Sequence, residues 1–440
     1  MRGPDLKPGP FRTNDAVPPE DGDGRAPRQP RMSERRRDAV PLACVLGDME
    51  LVRPLGLAGI RCAVAAGPAG GPALHSRFAR PALRWDGAGG DEEGLLGALI
   101  GFATAQAEPP VLFYQEDSHL LLVSRHRERL AEAFRFVVPA AALVEDLVDK
   151  GRFQALAERL GLPVPATRRI RPGAGTLPDD LGLRFPVIVK PLRRDDGWFA
   201  VGGAGKALRA DDPAALRALW PRLAGAETDL LVQEMVPGPE TRIESYHVYV
   251  DAQGGIAAEF TGRKIRTLPI ELGHSTALTI TAADDVAGLG RDIVRTLGLR
   301  GVAKLDFKRA PDGGLHLLEV NPRFNLWHHL GAVAGVNLPA LVHADLTGLP
   351  RPAVPPRARA GVSWCRPAQD WRAAKACGLS RLAWLSWALR CEAKATMSWD
   401  DPMPWLRGVA WPYLRGRLAQ RFRRPRAREE PPPHRAEAKA

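Results

Sequence analysis

The sequence predicts an α/β domain, then a larger α+β domain, then a small helical extension. Three observations carry this. Apolar runs at Val40–Leu46 and Ile60–Ala66 flank a helix-like Asp48–Leu57, a strand–helix–strand order with short links. From position 185 onward short strand candidates follow one another, two of them joined across Pro311-Asp312-Gly313-Gly314, a strong turn signal. The chain has 440 residues, 45% hydrophobic and 25% charged, an ordinary globular composition, and its length suggests about three units at roughly 150 residues each.

Residues 1–38 mix Pro, Gly and both charges without apolar periodicity and read as a disordered leader. The first domain spans 39–145. Pro110–Tyr114 adds a buried-strand candidate, and Ser118–Phe134 reads as a helical segment. Its first turn, Leu46-Gly47-Asp48-Met49-Glu50, lacks the GxGxxG pattern, so a dinucleotide site is poorly supported there.

The second domain spans 146–350. Phe153, Leu156, Ala157 and Leu160 recur at i, i+3, i+4 and i+7, and Gly161 stops that helix. Phe185–Lys190 is a strand ending in a lysine. Pro213 opens a helix with an apolar face at Leu216, Leu219, Trp220 and Leu223. Strands are expected at Leu230–Val236, Tyr246–Val250, Ile256–Phe260, Val302–Phe307 and Leu315–Val320, and a helix at Val286–Leu297. Beyond a Pro/Arg-rich linker, residues 351–420 read as a basic, Trp-rich helical extension holding seven of the eleven tryptophans, and 421–440 as a disordered basic tail.

Charge is unevenly placed. The net charge is +12, and residues 351–440 carry 19 basic against 7 acidic side chains, so the rest of the chain is balanced. A balanced body argues against nucleic acid as a partner, while the basic, Trp-bearing end could contact an anionic membrane peripherally. No run of about 18 apolar residues and no apolar segment near the start suggest a membrane span or a secretory signal. Five scattered cysteines without CxxC fit a reducing cytoplasm. Of 62 basic residues only ten are lysines, and six of these fall between 150 and 308: Lys150, Lys190, Lys206, Lys264, Lys304 and Lys308. A lysine is a compact point charge suited to a phosphate cradle.

The chemistry concentrates around the turn at 311–314. Lys304, Asp306 and Lys308 share one strand face, and Glu319 and Asn321 share a face of the returning strand. If the register pairs odd with even positions, Asp306 meets Glu319 and Asn321. Two carboxylates and an amide oxygen are hard ligands suited to Mg²⁺, with phosphates and water completing its shell. Arg323 follows, placed for a bidentate bond to phosphate or carboxylate. The alternative is a solvated face of ion pairs. Asn325 lies near enough to contact substrate, and His328 and His329 are weaker candidates because adjacent residues do not share a helix face. No Ser/His/Asp or Cys/His set is evident. Arg193–Lys206 is not a Walker A loop, yet the amides of Gly202, Gly203 and Gly205 could approach a phosphate and Lys206 could add its charge. A surface hairpin is the bland alternative there.

These residues resemble the ATP-grasp enzymes, which include D-alanine–D-alanine ligase, biotin carboxylase and carbamoyl phosphate synthetase. The likeness covers about 145–350, rests chiefly on Lys304-Leu305-Asp306 and Leu318-Glu319-Val320-Asn321-Pro322-Arg323, and extends more loosely to the preceding domain. It implies a Rossmann-like pre-ATP-grasp domain followed by an ATP-grasp fold, with ATP and one or two Mg²⁺ as cofactors. Asp306, Glu319 and Asn321 would hold the metal, and Lys304 would lie with the ATP-binding residues. Arg323 would contact the reacting phosphate or acyl group, with Lys206 and Asn325 as further catalytic candidates. Lys150 and Lys190 look like the nucleotide lysines. Gln233-Glu234-Met235-Val236-Pro237-Gly238-Pro239-Glu240 resembles the hinge, where backbone groups of Glu234 and Val236 would meet adenine and Glu240 the ribose. Many members carry Glu where Gln233 stands, and its amide oxygen could still accept from the adenine amino group, which places Gln233 with the ATP-binding residues. Arg193–Lys206 would be the phosphate lid.

Asp149-Lys150 with the Gly161–Thr167 segment after its helix, the Val232–Gly238 hinge and Asn321-Pro322-Arg323-Phe324 make the chain, within the superfamily, most resemble the predicted carboxylate–amine ligases, a branch that includes D-aspartate ligases. That resemblance implies a small carboxylate and an amine as substrates, activation of the acid as an acyl phosphate, and release of ADP and phosphate. Two rivals remain. One is another ATP-grasp reaction, kinase-like or carboxylating. The other is a degenerate ATP-binding protein tethered to membrane by its basic end.

Overall fold

Three sheets organise the chain in the computed structural model, which describes residues 40–66, 70–85, 91–172, 177–178, 180–192, 198, 207–224 and 229–422. The expected leader, the tail from 423 onward and the Arg193–Lys206 lid, apart from Trp198, lie outside the described residues.

The first sheet is parallel throughout, in the order β3-β2-β1-β4, from β1 (Ala43–Leu46), β2 (Cys62–Ala66), β3 (Ala79–Arg84) and β4 (Val111–Tyr114). Parallel strands need crossovers, and the Met49–Leu57 and Glu92–Thr104 helices supply two of them. All four residues of β1 and of β4 are buried, as their unbroken apolar runs require when both faces are covered. The single helix expected over Ser118–Phe134 is two pieces, Asp117–Arg125 and Arg127–Ala131. His126 leaves helical geometry between them, and the Arg127 guanidinium bonds back to the Ser124 carbonyl and hydroxyl. The Glu92–Thr104 helix and β3 were not foreseen. β3 carries Pro81 and stands at a sheet edge, where the missing N–H need not break a ladder.

The second sheet is small and antiparallel, in the order β5-β8-β6-β7: β5 (Thr167–Ile170), β6 (Val187–Pro191), β7 (Leu208–Ala210) and β8 (Leu230–Glu234). The Pro213–Ala224 helix buries Leu216 and Leu223 against it.

The third sheet has seven strands, β13-β12-β9-β10-β11-β14-β15. Its members are β9 (Ile243–Val250), β10 (Ile256–Leu268), β11 (His274–Thr281), β12 (Gly301–Arg309), β13 (Leu315–Asn321), β14 (Ser363–Cys365) and β15 (Ala393–Lys394). Period-2 alternation sends Ala303, Leu305 and Phe307 of β12 into a core with Tyr246, Val248, Leu317, Val320 and the Asp284–Thr296 helix. The intervening residues then face the opposite way.

The stretch 351–420 is not purely helical. β14 pairs with β11, and β15 pairs with β14, so two short strands extend the sheet before the chain leaves it. Three helical stretches accompany them: Pro367–Ala376, Arg381–Arg390 and a continuous run over 403–422. Asp370 anchors the first two. It is fully buried and accepts bonds from Arg266 Nε and Nη2 (2.8 and 2.7 Å), Thr276 Oγ1 (2.9 Å) and Trp384 Nε1 (2.8 Å). The Arg266 guanidinium also stacks on Trp387. No helix among the described residues is long and apolar enough to cross a membrane.

Candidate active site

The β12–β13 hairpin closes as its sequence demands. Gly313 takes φ +93°, where a side chain would strain the backbone, and the Ala310 amide bonds the Gly314 carbonyl at 2.8 Å. The resulting register sets Asp306 opposite Glu319 and Lys304 opposite Asn321. On the other flank, β9 sets Ser245 beside Asp306. One polar face therefore stands on a strand whose other face is core.

This face is tightly bonded. Ser245 Oγ donates to Asp306 Oδ1 at 2.5 Å, and Lys304 Nζ donates to Asp306 Oδ2 at 2.6 Å and to Glu319 Oε1 at 3.4 Å. Asn321 Nδ2 donates to the same Glu319 oxygen at 3.0 Å. Burial works against the Lys304 ammonium, but Asp306 and Glu319 outweigh it and hold its pKa above the usual value. Desolvation likewise pushes Glu319 up. The Lys304 charge, hydrogen bonds with Asp306 and Asn321, and the Lys264 charge overcome it and hold the carboxyl well below its usual range. Because both carboxylates reach one ammonium, their oxygens lie within reach of one cation, and the donor set suits a hard divalent ion.

The small sheet forms the opposite wall. Lys190 Nζ donates to Gln233 Oε1 at 2.9 Å, and Gln233 Nε2 donates to Thr167 Oγ1 at 2.9 Å. The Gln233 oxygen is thus engaged by lysine. Burial is the main reason the Lys190 pKa drops to about 8, with Lys150 adding to the fall and Glu319 across the cleft opposing it. Lys150 Nζ is held by the carbonyls of Pro191 and Leu192, at 2.9 and 3.2 Å. The Glu234 carboxylate turns to Arg184, taking its Nη2 at 2.9 Å and its amide at 2.9 Å. The amides of Glu234 and Met235 bond the carbonyls of Ala166 and Pro186. Glu240 is met by Lys308 Nζ at 3.5 Å, in a pair with little exposure.

Between these walls lies a cleft of about 270 Å³. Lys150, Lys190, Gln233, Glu234, Val236, Glu240, Asp306, Glu319 and Asn321 line it, nine of the site residues expected from sequence. Lys304 bridges the two carboxylates just behind that lining. Arg323 stands at the cleft's edge, where it ties the Glu319–Asn321 face to the first domain through Asp117 Oδ1 (2.5 Å) and the Gln115 carbonyl (2.9 Å), and it reaches Asn321 Oδ1 at 3.4 Å. Asn325 is placed differently. It is buried, its Oδ1 accepts the Trp327 amide at 3.1 Å, its Nδ2 points to the Arg323 carbonyl at 3.4 Å, and it does not line the cleft. Gly202, Gly203, Gly205 and Lys206 lie outside the described residues.

The cleft also holds Lys308 and Lys264, two of the six clustered lysines, and Met235 and Asp117, which had no individual role from sequence, with Ser245 behind Asp306. Strand alternation already put Lys308 on the Asp306 face. Nothing local pointed to Asp117 or Ser245, which arrive from elements 206 and 61 positions away from their partners.

Comparison with known proteins bears on the fold. The fold is that of the ATP-grasp enzymes. The structure superposes on a biotin carboxylase–β-γ-ATP complex from Campylobacter jejuni with a TM-score of 0.55 at 14% identity, covering 72% of this chain and 73% of that one. It superposes on the L-amino acid ligase from Bacillus licheniformis with a TM-score of 0.53 at 16% identity, covering 70% and 74%. Within that class the chain is similar to carboxylate–amine ligases. Residues 226–367 match the family described as "ATP-grasp in the biosynthetic pathway with Ter operon". D-aspartate ligase of Enterococcus faecium (strain Aus0004) is 25% identical over 239 residues, 52% of this chain and 56% of the relative. D-alanine–D-alanine ligase of Stutzerimonas stutzeri (strain A1501) is 26% identical over 178 residues, 40% and 54%. The match spans little more than half the length of these curated relatives. Those relatives are ATP-dependent ligases that form carbon–nitrogen bonds.

Proposed function

We propose that this protein is an ATP-dependent carboxylate–amine ligase that forms an amide through an acyl phosphate and releases ADP and phosphate. The observation that carries the reading is the apposition of two walls across one cleft. One bears Asp306, Glu319 and Asn321 on one face of the paired strands β12 and β13, and the other bears Lys150 and Lys190. Acids face bases over a space suited to a nucleotide's phosphates.

In this reading Lys150 and Lys190 grip the phosphates, with Gly202, Gly203, Gly205 and Lys206 as the covering lid. The Glu234 carbonyl and Val236 amide meet adenine, and Gln233 keeps Lys190 in place. Glu240, steadied by Lys308, takes the ribose. Asp306, Glu319 and Asn321 would hold one or two Mg²⁺, which offset phosphate charge when bound. Lys304 and Arg323 bring positive charge to the phosphoryl group in transfer.

A substrate carboxylate oxygen attacks the γ-phosphorus, the bond from that phosphorus to the β–γ bridging oxygen breaks, and ADP leaves. An unprotonated amine then attacks the acyl carbon, the carbon–oxygen bond to phosphate breaks, and the nitrogen loses a proton. The chain supplies position and charge, so no nucleophilic side chain is required. Arg323 bonds the loop after β4, so an acid seated against the first domain would meet the metal face at that arginine. The parallel sheet of that domain serves as the Rossmann-like wall of the substrate pocket. Five unpaired cysteines support a cytoplasmic setting.

The test is a coupled ADP-release screen of candidate acids crossed with candidate amines, with mass analysis of the product. ADP release that requires both partners and yields their amide is the expected result. Release with an acid or bicarbonate alone would replace the reading with the kinase-like or carboxylating one. Tight ATP binding without release for any pair would replace it with the degenerate binder.

A further inference from the structure

We propose that the C-terminal helix over 403–422 is a docking element for anionic lipid surfaces, laid flat in the headgroup layer. The helix is about 30 Å long at 1.5 Å per residue. It widens to a π turn over Leu406–Ala410, directly before Pro412, whose missing N–H cannot bond the Gly408 carbonyl.

Its attachment is narrow and firm. Asp401, just before it, is buried and accepts Ser76 Oγ at 2.5 Å and the Arg77 amide at 3.0 Å. Asp400 accepts Arg53 Nη2 at 2.9 Å and Arg77 Nη2 at 3.0 Å. Gly408 lies so close to the Pro72–His75 turn that a Cβ there would come within 2.6 Å of Pro72 Cα. The helix therefore stands fixed on the first domain.

Pro404 is buried as well, while the large apolar side chains of the run face outward. Met403, Trp405, Leu406, Val409, Trp411, Tyr413 and Leu414 are all exposed, and Trp399 beside them is 92% exposed. A soluble surface helix normally buries an apolar stripe, and this one presents its large apolar side chains to solvent. The charge pattern selects the occupant. Between Asp401 and Glu429 there are eight arginines and no acidic residue. Arg417 reaches the Tyr413 ring and hydroxyl, keeping charge and aromatic together. Two copies meeting through this surface would bring arginines onto arginines, which disfavours self-association. A nucleic acid would meet the arginines but leave Leu406, Val409 and Leu414 nothing apolar to enter. An anionic headgroup layer satisfies both, with Trp and Tyr rings at the interface and the aliphatic groups just beneath.

The full chain is mixed with vesicles of phosphatidylcholine alone or with an equal share of phosphatidylglycerol, and sedimented. It should sediment with the anionic vesicles, release at high salt, and have its tryptophan fluorescence quenched by brominated acyl chains. The triple change L406S/W411S/L414S should weaken partitioning about tenfold or more, and R407E/R415E/R417E similarly, since each basic residue near the surface adds to the attraction. All six positions are exposed or end in solvent, so both variants should melt with the parent. If the apolar variant melts early, the arginine variant decides. No sedimentation, equal binding to both vesicle types, or vesicle binding unchanged in both variants would overturn the proposal. So would a dimer in free solution that the apolar variant dissociates, or preferential binding of single-stranded DNA.

Discussion

Two clusters of charge, the cleft face on β12–β13 and the seam that fastens the C-terminal segment, use the same residue types toward different ends. In the seam, Asp370 is buried with four donors, and Arg53 is met by Asp400 and by His329 Nε2 at 3.3 Å. The charges there neutralise one another. In the cleft, Asp306 and Glu319 share a single lysine, and Glu319 and Asn321 remain open to a third party. A cluster whose partners are all internal holds a fold together. One that is only partly answered, and faces space, can hold a ligand. Glu50 lies between these cases. Burial, then nearby Asp48, pushes its carboxyl up to about 7, against the Arg366 guanidinium 4.0 Å away.

Four changes test that contrast. The double substitution Asp306→Asn with Glu319→Gln should lower turnover by about a thousandfold or more, because it removes transition-state charge neutralisation. Its melting temperature should stay close to the parent's, and a large stability loss instead would mean that the face is structural. Asp370→Ala should do the reverse. Stranding a buried arginine costs about 3–5 kcal/mol. Denaturant unfolding should show that loss, with ATP turnover per folded molecule retained.

Lys190→Met should raise the nucleotide dissociation constant about 10- to 100-fold, the scale of one charge-assisted bond. In the parent, affinity should fall as pH rises through about 8, since the free lysine loses its proton there and nucleotide binding must then take one up. Calorimetric titration with a non-hydrolysable ATP analogue reads both, and a flat profile between pH 7 and 9.5 would count against Lys190 as a phosphate ligand. Glu50 predicts a smaller effect. Its folded pKa is raised, so its contribution is present at low pH and is lost as pH rises from its unfolded value of 4.5 toward 7. Unfolding titrations should show this decline, and Glu50→Gln should flatten it.

Much of the cleft was legible because its information is local. Lys304, Asp306, Glu319, Asn321 and Arg323 lie within 20 positions on one hairpin, and strand alternation plus a Gly-bearing turn suffices to set their common face. The lysine ending Phe185–Lys190 was legible for a similar reason. Gln233 and Asn325 show where residue type alone stops. Both have the right chemistry, but Lys190 engages one and the Trp327 amide the other. The expectation of an all-helical end failed because β14 and β15 are only three and two residues long, too short to leave a periodic trace.

By itself the sequence determined the order of many of the elements, the polar face at 304–323 and the basic end. Each is written in periodicity, turns or composition over short spans. Tertiary structure alone decided that Arg323 meets Asp117, that Ser245 steadies Asp306, and that Asp400 and Asp401 pin a solvent-facing helix to Ser76 and Arg77. Those contacts join residues 61 to 325 positions apart. Such pairings depend on how three sheets pack together, and no local pattern encodes that.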